Sequence, residues 1–136
     1  MAERRFLNPE TLAAQAGYTH VVDAPAGRIV FVSGQVALDA DGQLVGEGDF
    51  DAQTRQVFAN LTRALEASGA TWPDVAKLTY LVRDVSQLAA IRTVRDEFVD
   101  TERPPASTLV EVRRLVRDEF LIEIEAIAIL GSEPNR

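Results

Sequence analysis

Two glutamates near the C-terminal end, Glu123 and Glu125, are the residues whose type and spacing most clearly suggest chemistry. They alternate with apolar residues in the run IEIEAIAI, so the period of two of a β-strand places both on one face. A carboxyl group buried between apolar side chains has a raised pKa, and it can then exchange a proton near neutral pH or orient a water molecule. A structural role is the alternative, in which either glutamate forms an ion pair with an arginine of the neighbouring strand, namely Arg113, Arg114 or Arg117.

The strand that carries these glutamates, roughly Phe120–Ile129, has one uniform and one mixed face. The uniform face is apolar and consists of Ile122, Ile124, Ala126 and Ala128. The mixed face combines the two carboxylates with Leu121, Ile127 and Ile129. A solvated face would be polar throughout and a helix-covered face apolar throughout, so the mixed face predicts burial against another subunit around a polar pocket. The alternative is a strand with one wet face and three stray apolar residues.

Apolar periodicity and turn signals define the elements that must position this strand. The predicted elements are strands Thr19–Ala24 and Arg28–Gln35, a helix from Asp49 or Asp51 to Ser68, a strand Ala76–Arg83, a helix from Asp84 to about Val99, and strands Ser107–Val112 and Phe120–Ile129. This order, β-β-α-β-α-β-β, predicts a single α+β domain over residues 1–136, with one mixed sheet and two helices on one of its faces.

The first two strands are predicted to form a hairpin, because Pro25-Ala26-Gly27 between them is a strong turn signal. The second of them carries apolar residues on both faces, which predicts a central strand. It ends at Ser33-Gly34, where the glycine lets the backbone bend or approach another group closely. The sheet face without helices keeps Ile29 and Phe31 uncovered, at a cost of roughly 1.5–3 kcal/mol for each large apolar side chain, so self-association is expected.

Composition excludes several functional classes. The net charge of −7 argues against nucleic acid as a partner, and the absence of cysteine excludes disulfides and thiolate ligands or nucleophiles. No apolar run is long enough to span a membrane and no secretory signal is recognisable, so a cytoplasmic protein is expected. A single histidine, His20, with scattered carboxylates predicts no metal site. A Ser-His-Asp arrangement with Ser33 or Ser107 has no supporting motif.

Several motifs resemble those of the Rid/YjgF family of reactive-intermediate deaminases, once labelled translation inhibitors or L-PSP endoribonucleases. They are Ser33-Gly34-Gln35, Glu66-Ala67-Ser68-Gly69, the strand Leu78–Val82 followed by Asp84, and above all VEVRRL…IEIEAIA. The resemblance covers about residues 18–130. It implies a chorismate-mutase-like α+β fold and a homotrimer whose sheets form a central barrel, with ligand clefts between neighbouring subunits.

The resemblance also implies an activity without a cofactor: hydrolysis of 2-imino acids, a class of small metabolites, to 2-keto acids and ammonia. In the family an arginine clamps the substrate carboxylate, a glutamate of the last strand positions the attacking water, and a Ser-Gly contacts the ligand. Glu123 matches the glutamate, and Ser33 and Gly34 match the Ser-Gly. Leu109 is expected among the other ligand contacts.

Three positions depart from the family pattern. Ser107 stands where the arginine should be, His20 replaces a cleft tyrosine, and Arg92 replaces a helix asparagine. A hydroxyl cannot replace a guanidinium as a carboxylate clamp. Arg92, or Arg113 of a neighbouring subunit, is expected to supply the charge instead, unless the substrate has no carboxylate.

Three functions follow from these observations. The first is an imine or enamine deaminase in which Glu123 directs water while Ser33 and Ser107 contact the ligand. The second is a non-catalytic trimer that binds a metabolite, because Ser107 replaces the clamp. The third, ribonuclease activity, fits poorly with the net charge of −7 and a single histidine.

Overall fold

The computed structural model describes residues 3–131 as a mixed α+β structure. The strands are β1 Arg5–Leu7, β2 Val21–Asp23, β3 Gly27–Gln35, β4 Val75–Val82, β5 Ala106–Glu111 and β6 Ile122–Gly131. The helices are α1 Phe50–Ala67 and α2 Leu88–Arg95, and 3-10 turns at Trp72–Asp74 and Val85–Gln87 precede β4 and α2. The predicted element order is confirmed, and β1 is an additional strand that the sequence did not indicate.

The main sheet has four strands in the order β3-β6-β4-β5. Strand β6 is antiparallel to both of its neighbours, whereas β4 and β5 are parallel, so the sheet is mixed as predicted. The hydrophobic core lies between both helices and one sheet face. Its residues include Val57, Phe58, Leu61 and Leu65 of α1, Ile91 and Val94 of α2, and Leu78, Tyr80, Ile122, Ile124 and Ala126 of the sheet.

Helix α1 begins and ends where its sequence indicates. The Asp49 carboxylate accepts a hydrogen bond from the backbone N–H of Ala52 at 3.0 Å, and Gly69 reverses the chain with φ of +79°. The second helix is shorter than predicted. Asp84 caps a 3-10 turn through the N–H of Ser86, and the helix itself ends at Arg95 rather than near Val99.

The predicted hairpin is wrong. Strand β2 pairs with the N-terminal β1, with Phe6 opposite Val22, whereas β3 pairs with β6 along its length. Gly27 is required for a reason other than a turn: a side chain there would overlap the carbonyl oxygen of Leu130 on β6. The turn signal at Pro25-Ala26-Gly27 therefore marks a change of sheet, which local sequence cannot distinguish from a hairpin.

Two further strand placements differ from expectation. Strand β3 lies at the edge of the sheet instead of its centre, and Ile29 and Phe31 are 54% and 75% exposed. Strands β5 and β6 follow one another in sequence but do not pair, because β4 lies between them. The two-faced character of β6 is confirmed: Ile122, Ile124, Ala126 and Ala128 are buried, and the glutamate-bearing face is open in the described chain.

Candidate functional site

Glu123 lies against Gly34 on the open face of the sheet. A side chain at position 34 would overlap the Glu123 carboxylate, with its Cβ 2.8 Å from Cδ and 3.0 Å from Cγ. Gly34 has no positive φ, so the glycine is needed here for space and not for backbone conformation. The predicted close approach at Ser33-Gly34 is therefore found, and the group approached is the predicted catalytic glutamate.

A β-bulge creates this contact. Val32 pairs with Ala126 and Gln35 with Ile124, so Ser33 and Gly34 together face the single residue Glu125. An extra residue of this kind bends the strand and re-aims the side chains beside it. Ser33 is exposed next to the glutamates, and its carbonyl accepts a hydrogen bond from Gln35 Nε2 at 3.1 Å. The structure thus brings together three of the predicted site residues: Ser33, Gly34 and Glu123.

Burial raises the pKa of the Glu123 carboxyl above its ordinary value, and the negative charge of Glu125 on the same face raises it further. Within residues 3–131 neither glutamate has a cationic partner. Arg113 forms no ion pair there, Arg114 pairs with Asp118 at 2.7 Å and Arg117 with Glu119 at 2.6 Å. The structural ion-pair hypothesis is therefore wrong within one chain. Glu123 is a half-buried carboxyl group with a raised pKa in a partly apolar surface.

Ser107 and Leu109 belong to a second group, on the other side of the sheet. They pair across to Leu78 and Tyr80, which face the helices, whereas Glu123 pairs with Leu81 on the open face. One chain therefore does not bring the predicted clamp position and the predicted water-positioning carboxylate together.

His20 and Arg92 lie apart from Glu123 as well. His20 Nε2 donates to the carbonyl of Ala13 at 2.7 Å, so the imidazole is held by the N-terminal segment. The neighbouring Thr19 N–H donates to the Pro105 carbonyl at 3.2 Å, which places His20 beside the start of β5. Arg92 is exposed on α2, and its side chain has no hydrogen-bond or ion-pair partner among the residues that the structure describes.

Gln53 is a positioning residue that the sequence analysis missed. Its fully buried amide donates to the carbonyls of Gly46 at 3.1 Å and Glu119 at 2.9 Å, and accepts from the N–H of Leu121 at 2.9 Å. Helix α1 is thereby tied to the segment that leads into Glu123. In the sequence, the sign of this role was a polar residue at the start of the apolar face of α1, one turn before Val57.

An open groove of about 720 Å³ extends from Gly34 along residues 35–41 to helix α1. The Asn60 amide donates to the carbonyls of Val36 and Leu38 at 3.0 and 2.9 Å, which fixes the loop to the helix. Arg63 lines the same groove. One end of this open groove therefore lies at Gly34, next to the candidate site.

The described part of the chain offers no group of three or more His, Asp or Glu side chains that could hold a metal ion. Among the helices of residues 3–131, none is both long and apolar enough to cross a membrane.

The described chain is thus a small α+β fold with a carboxylate beside a glycine bulge on its open sheet face. The family model described as Endoribonuclease L-PSP matches residues 9–130. A 2-iminobutanoate/2-iminopropanoate deaminase of Salmonella typhimurium is 37% identical over 119 residues, covering 86% of this chain and 90% of the relative. A RutC family protein of Synechocystis is 36% identical over 106 residues, covering 77% and 81%.

A solved structure is also similar to this chain. A Rid-family protein of unknown function from Yersinia pestis superposes with a TM-score of 0.84 at 42% identity, covering 93% of this chain and 98% of that chain. The chain therefore belongs to the Rid/YjgF family.

Proposed function

We propose that the protein hydrolyses small imine metabolites of the 2-imino acid type to carbonyl compounds and ammonia, in clefts between the subunits of a homotrimer. The contact of Gly34 with the Glu123 carboxylate carries this proposal, because the missing side chain leaves room for a proton acceptor against the strand, at the edge of an apolar surface. The deaminase from Salmonella supports the choice of substrate class, since its name specifies two 2-imino acids.

The chemistry requires one proton acceptor and one water molecule. The oxygen of water attacks the imine carbon while Glu123 accepts the proton that this oxygen loses. When the imine nitrogen is protonated, this attack gives a neutral carbinolamine. Glu123 then returns the proton to the nitrogen, the C–N bond breaks so that ammonia leaves, and the hydroxyl passes its proton to the Glu123 carboxylate as the carbonyl forms. A carboxyl group with a raised pKa suits both steps, because it can accept the first proton and return it to the leaving nitrogen.

The separation of the predicted residues within one chain supports the inter-subunit cleft. Glu123 and Ser33 face the open side of the sheet, whereas Ser107 and Leu109 face the helices at its edge strand. A site that combines both groups needs a second copy of the chain, which brings its own edge strand to the first copy's open face. A trimer in which the sheets form a closed barrel achieves this and also covers the exposed Phe31.

Turnover is tested by following ammonia and keto-acid release from 2-iminobutanoate and 2-iminopropanoate generated in the reaction mixture. We expect release well above the rate without protein, and a loss of about a hundredfold or more for Glu123→Gln, because general acid–base catalysis contributes about 10²–10⁴-fold. Equal rates for Glu123→Gln and the unaltered protein would remove the catalytic assignment.

The assembly is tested separately by sedimentation equilibrium at micromolar concentration. The unaltered chain is expected to be a trimer, and Phe31→Ser is expected to shift it towards monomer because this ring is 75% exposed in one chain. Val85→Ser, which changes an exposed apolar residue outside the sheet, is the control and should leave the mass unchanged. A monomeric unaltered protein would refute the shared cleft.

A non-catalytic metabolite-binding trimer is the second candidate, and the serine at position 107 favours it. It predicts saturable binding of 2-keto acids without turnover of the imines. Ribonuclease activity is not favoured, because the chain carries a net charge of −7 and the candidate site presents two carboxylates to solvent.

A further inference from the structure

The charges on the open face of the main sheet come from few side chains. Among the described residues, its strands present two carboxylates, Glu123 and Glu125 of β6, and one ammonium, Lys77 of β4. The same face is otherwise uncharged and includes Phe31, which is 75% exposed. A charge that is buried without a partner strongly destabilises the buried state, so any copy that covers this face must also pair these charges.

Lys77 is the only lysine in the chain, whose other basic residues are arginines. It alternates along β4 with the buried Leu78 and pairs across the sheet with Ile127 of the open face. Its ammonium donates a hydrogen bond to the Thr108 hydroxyl of β5 at 2.7 Å and forms no ion pair within residues 3–131. The ammonium is therefore held on the open face by a neutral partner, and its charge is not compensated there.

Glu125 is a carboxylate in the same cross-strand row as this ammonium. It pairs with Thr79 of β4, and Thr79 pairs in turn with Thr108 of β5, the residue that binds the Lys77 ammonium. Two strand spacings, about 10 Å, separate Glu125 from Thr108, and the carboxylate and the ammonium are not in contact within residues 3–131. One row of the open face therefore carries opposite charges at its two ends.

Glu123 has different surroundings from Glu125. It lies in the next row, beside Leu81 of β4, and its carboxylate packs against Gly34 at the bulge. Successive rows on one face are about 7 Å apart. Glu125, which is also the more exposed of the two glutamates, is therefore the carboxylate at the level of the ammonium.

Cyclic symmetry can bring these separated charges together. In a ring of identical copies each interface is heterologous, so one part of a copy's surface meets a different part of its neighbour. Rotation about an axis along which the strands run keeps the members of one row at one height, to within the tilt of the strands. The ammonium end of the row on one copy can then meet the carboxylate end on the next.

Given the proposed trimer, we infer that Lys77 of each copy forms an ion pair with Glu125 of the neighbouring copy inside the closed barrel. The partly exposed Ile127 and Ile129 on the same face exclude water around the pair and strengthen it. The pair fixes the register between adjacent sheets. It also neutralises the carboxylate next to Glu123, so Glu123 alone keeps the acid–base role.

Zero-length cross-linking with a water-soluble carbodiimide tests this pair directly. The reagent joins an amine to a carboxylate only where the two are in contact, and it takes up the water that is lost. Lys77 carries the only side-chain amine in the chain. The full chain at micromolar concentration is expected to give covalent dimers and trimers on denaturing electrophoresis. Mass spectrometry of the dimer band should find an amide bond between Lys77 and Glu125.

Three variants identify the cross-linked groups. Lys77→Arg keeps the positive charge but removes the amine, so the protein should remain trimeric in sedimentation and lose the cross-linked product about tenfold or more. Glu125→Gln should lose the product as well, because it removes the reacting carboxylate. Glu66→Gln, which removes an exposed carboxylate of α1, is the matched control and should cross-link as the unaltered protein does.

Reversal of the charges tests the energy of the same pair. Lys77→Glu sets like charges against each other, so the dissociation constant of the trimer should rise about tenfold or more in sedimentation. A chain that combines Lys77→Glu with Glu125→Lys has opposite charges again and should recover the trimer. This rescue is not expected if the first substitution acts only by distorting β4.

The pair is refuted by a trimer that gives no cross-link between copies, or whose Lys77 is joined to another carboxylate or only to Glu125 of its own chain. It is also refuted if Lys77→Glu leaves the dissociation constant unchanged. A monomeric unaltered protein refutes the pair together with the shared cleft, whereas a trimer without the link refutes the pair alone. The proposed hydrolysis is judged independently, by the turnover of Glu123→Gln.

Discussion

Replacement of Gly34 by alanine is a sharp perturbation of the proposed site, because it adds one methyl group against the reacting carboxylate. The added Cβ would overlap the carboxylate oxygen and lie 2.8 Å from Cδ of Glu123, where ordinary van der Waals contact is 3.4–4 Å. Position 34 has no positive φ, so alanine introduces no backbone strain. The carboxylate must therefore move by about 1 Å, while the strand does not.

The expected effect on turnover is large and the effect on stability is small. A displacement of about 1 Å at a catalytic group costs on the order of 10²-fold in rate, so kcat/KM for 2-iminobutanoate should fall by about that factor. Glu123 is only half-buried and its flexible end can swing into solvent, so the free energy of unfolding should change by less than about 1 kcal/mol.

Gly42→Ala provides the matched control for this experiment. Gly42 has φ of +77° with nothing within 4 Å of an added Cβ, so alanine there strains the backbone without touching the site. This variant should lose roughly 1 kcal/mol of stability and retain full turnover. Turnover of Gly34→Ala within threefold of the unaltered protein, with a normal melting temperature, would refute the role of this contact.

Three further predictions follow from the same site. Glu125→Gln removes a negative charge that raises the pKa of Glu123, so the acid limb of the kcat/KM profile should move to lower pH; an unmoved limb would mean that another group titrates. The pKa of Glu123 is raised on folding, so its ionisation destabilises the folded state as pH rises above about 4.5. Glu123→Gln should therefore be more stable than the unaltered protein at neutral pH in urea titrations. This advantage should disappear below about pH 4.5. Gln53→Ala leaves two part-buried carbonyls and the N–H of Leu121 without their partner, so it should lower the free energy of unfolding by about 2–5 kcal/mol. A loss below 1 kcal/mol in urea titrations would show that the amide is dispensable.

Much of the architecture was predictable because it depends on local geometry. The alternation in IEIEAIAI assigned Glu123 and Glu125 to one face and Ile122 to the other, and the structure confirms both. Asp49, one of the two predicted N-caps, and Ser68 marked the ends of α1 correctly, because capping involves only residues within one turn. The resemblance to the Rid/YjgF family also predicted the α+β fold correctly.

Predictions were wrong where they depended on which residues far apart in the sequence pair with one another. The hairpin failed because β2 pairs with β1, and β3 was placed at the centre although β6 covers only one of its edges. Arg92 was selected on α2 because it stands at the position of the family's helix asparagine, whereas Arg95, one turn further on, is the arginine that the fold buries against Gly17. Pairwise burial of this kind leaves no periodic signal.

The sequence by itself determined which side chains share a face, where α1 begins and ends, and that one sheet face mixes carboxylates with large apolar groups. It could do so because the repeat of a strand or helix is a property of consecutive residues. Only the tertiary structure decided that Gly34 touches Glu123, that Ser107 lies on the opposite side of the sheet from Glu123, and that Arg95 packs on Gly17. These relations depend on β6 lying between β3 and β4, an arrangement set by packing among residues far apart in the chain.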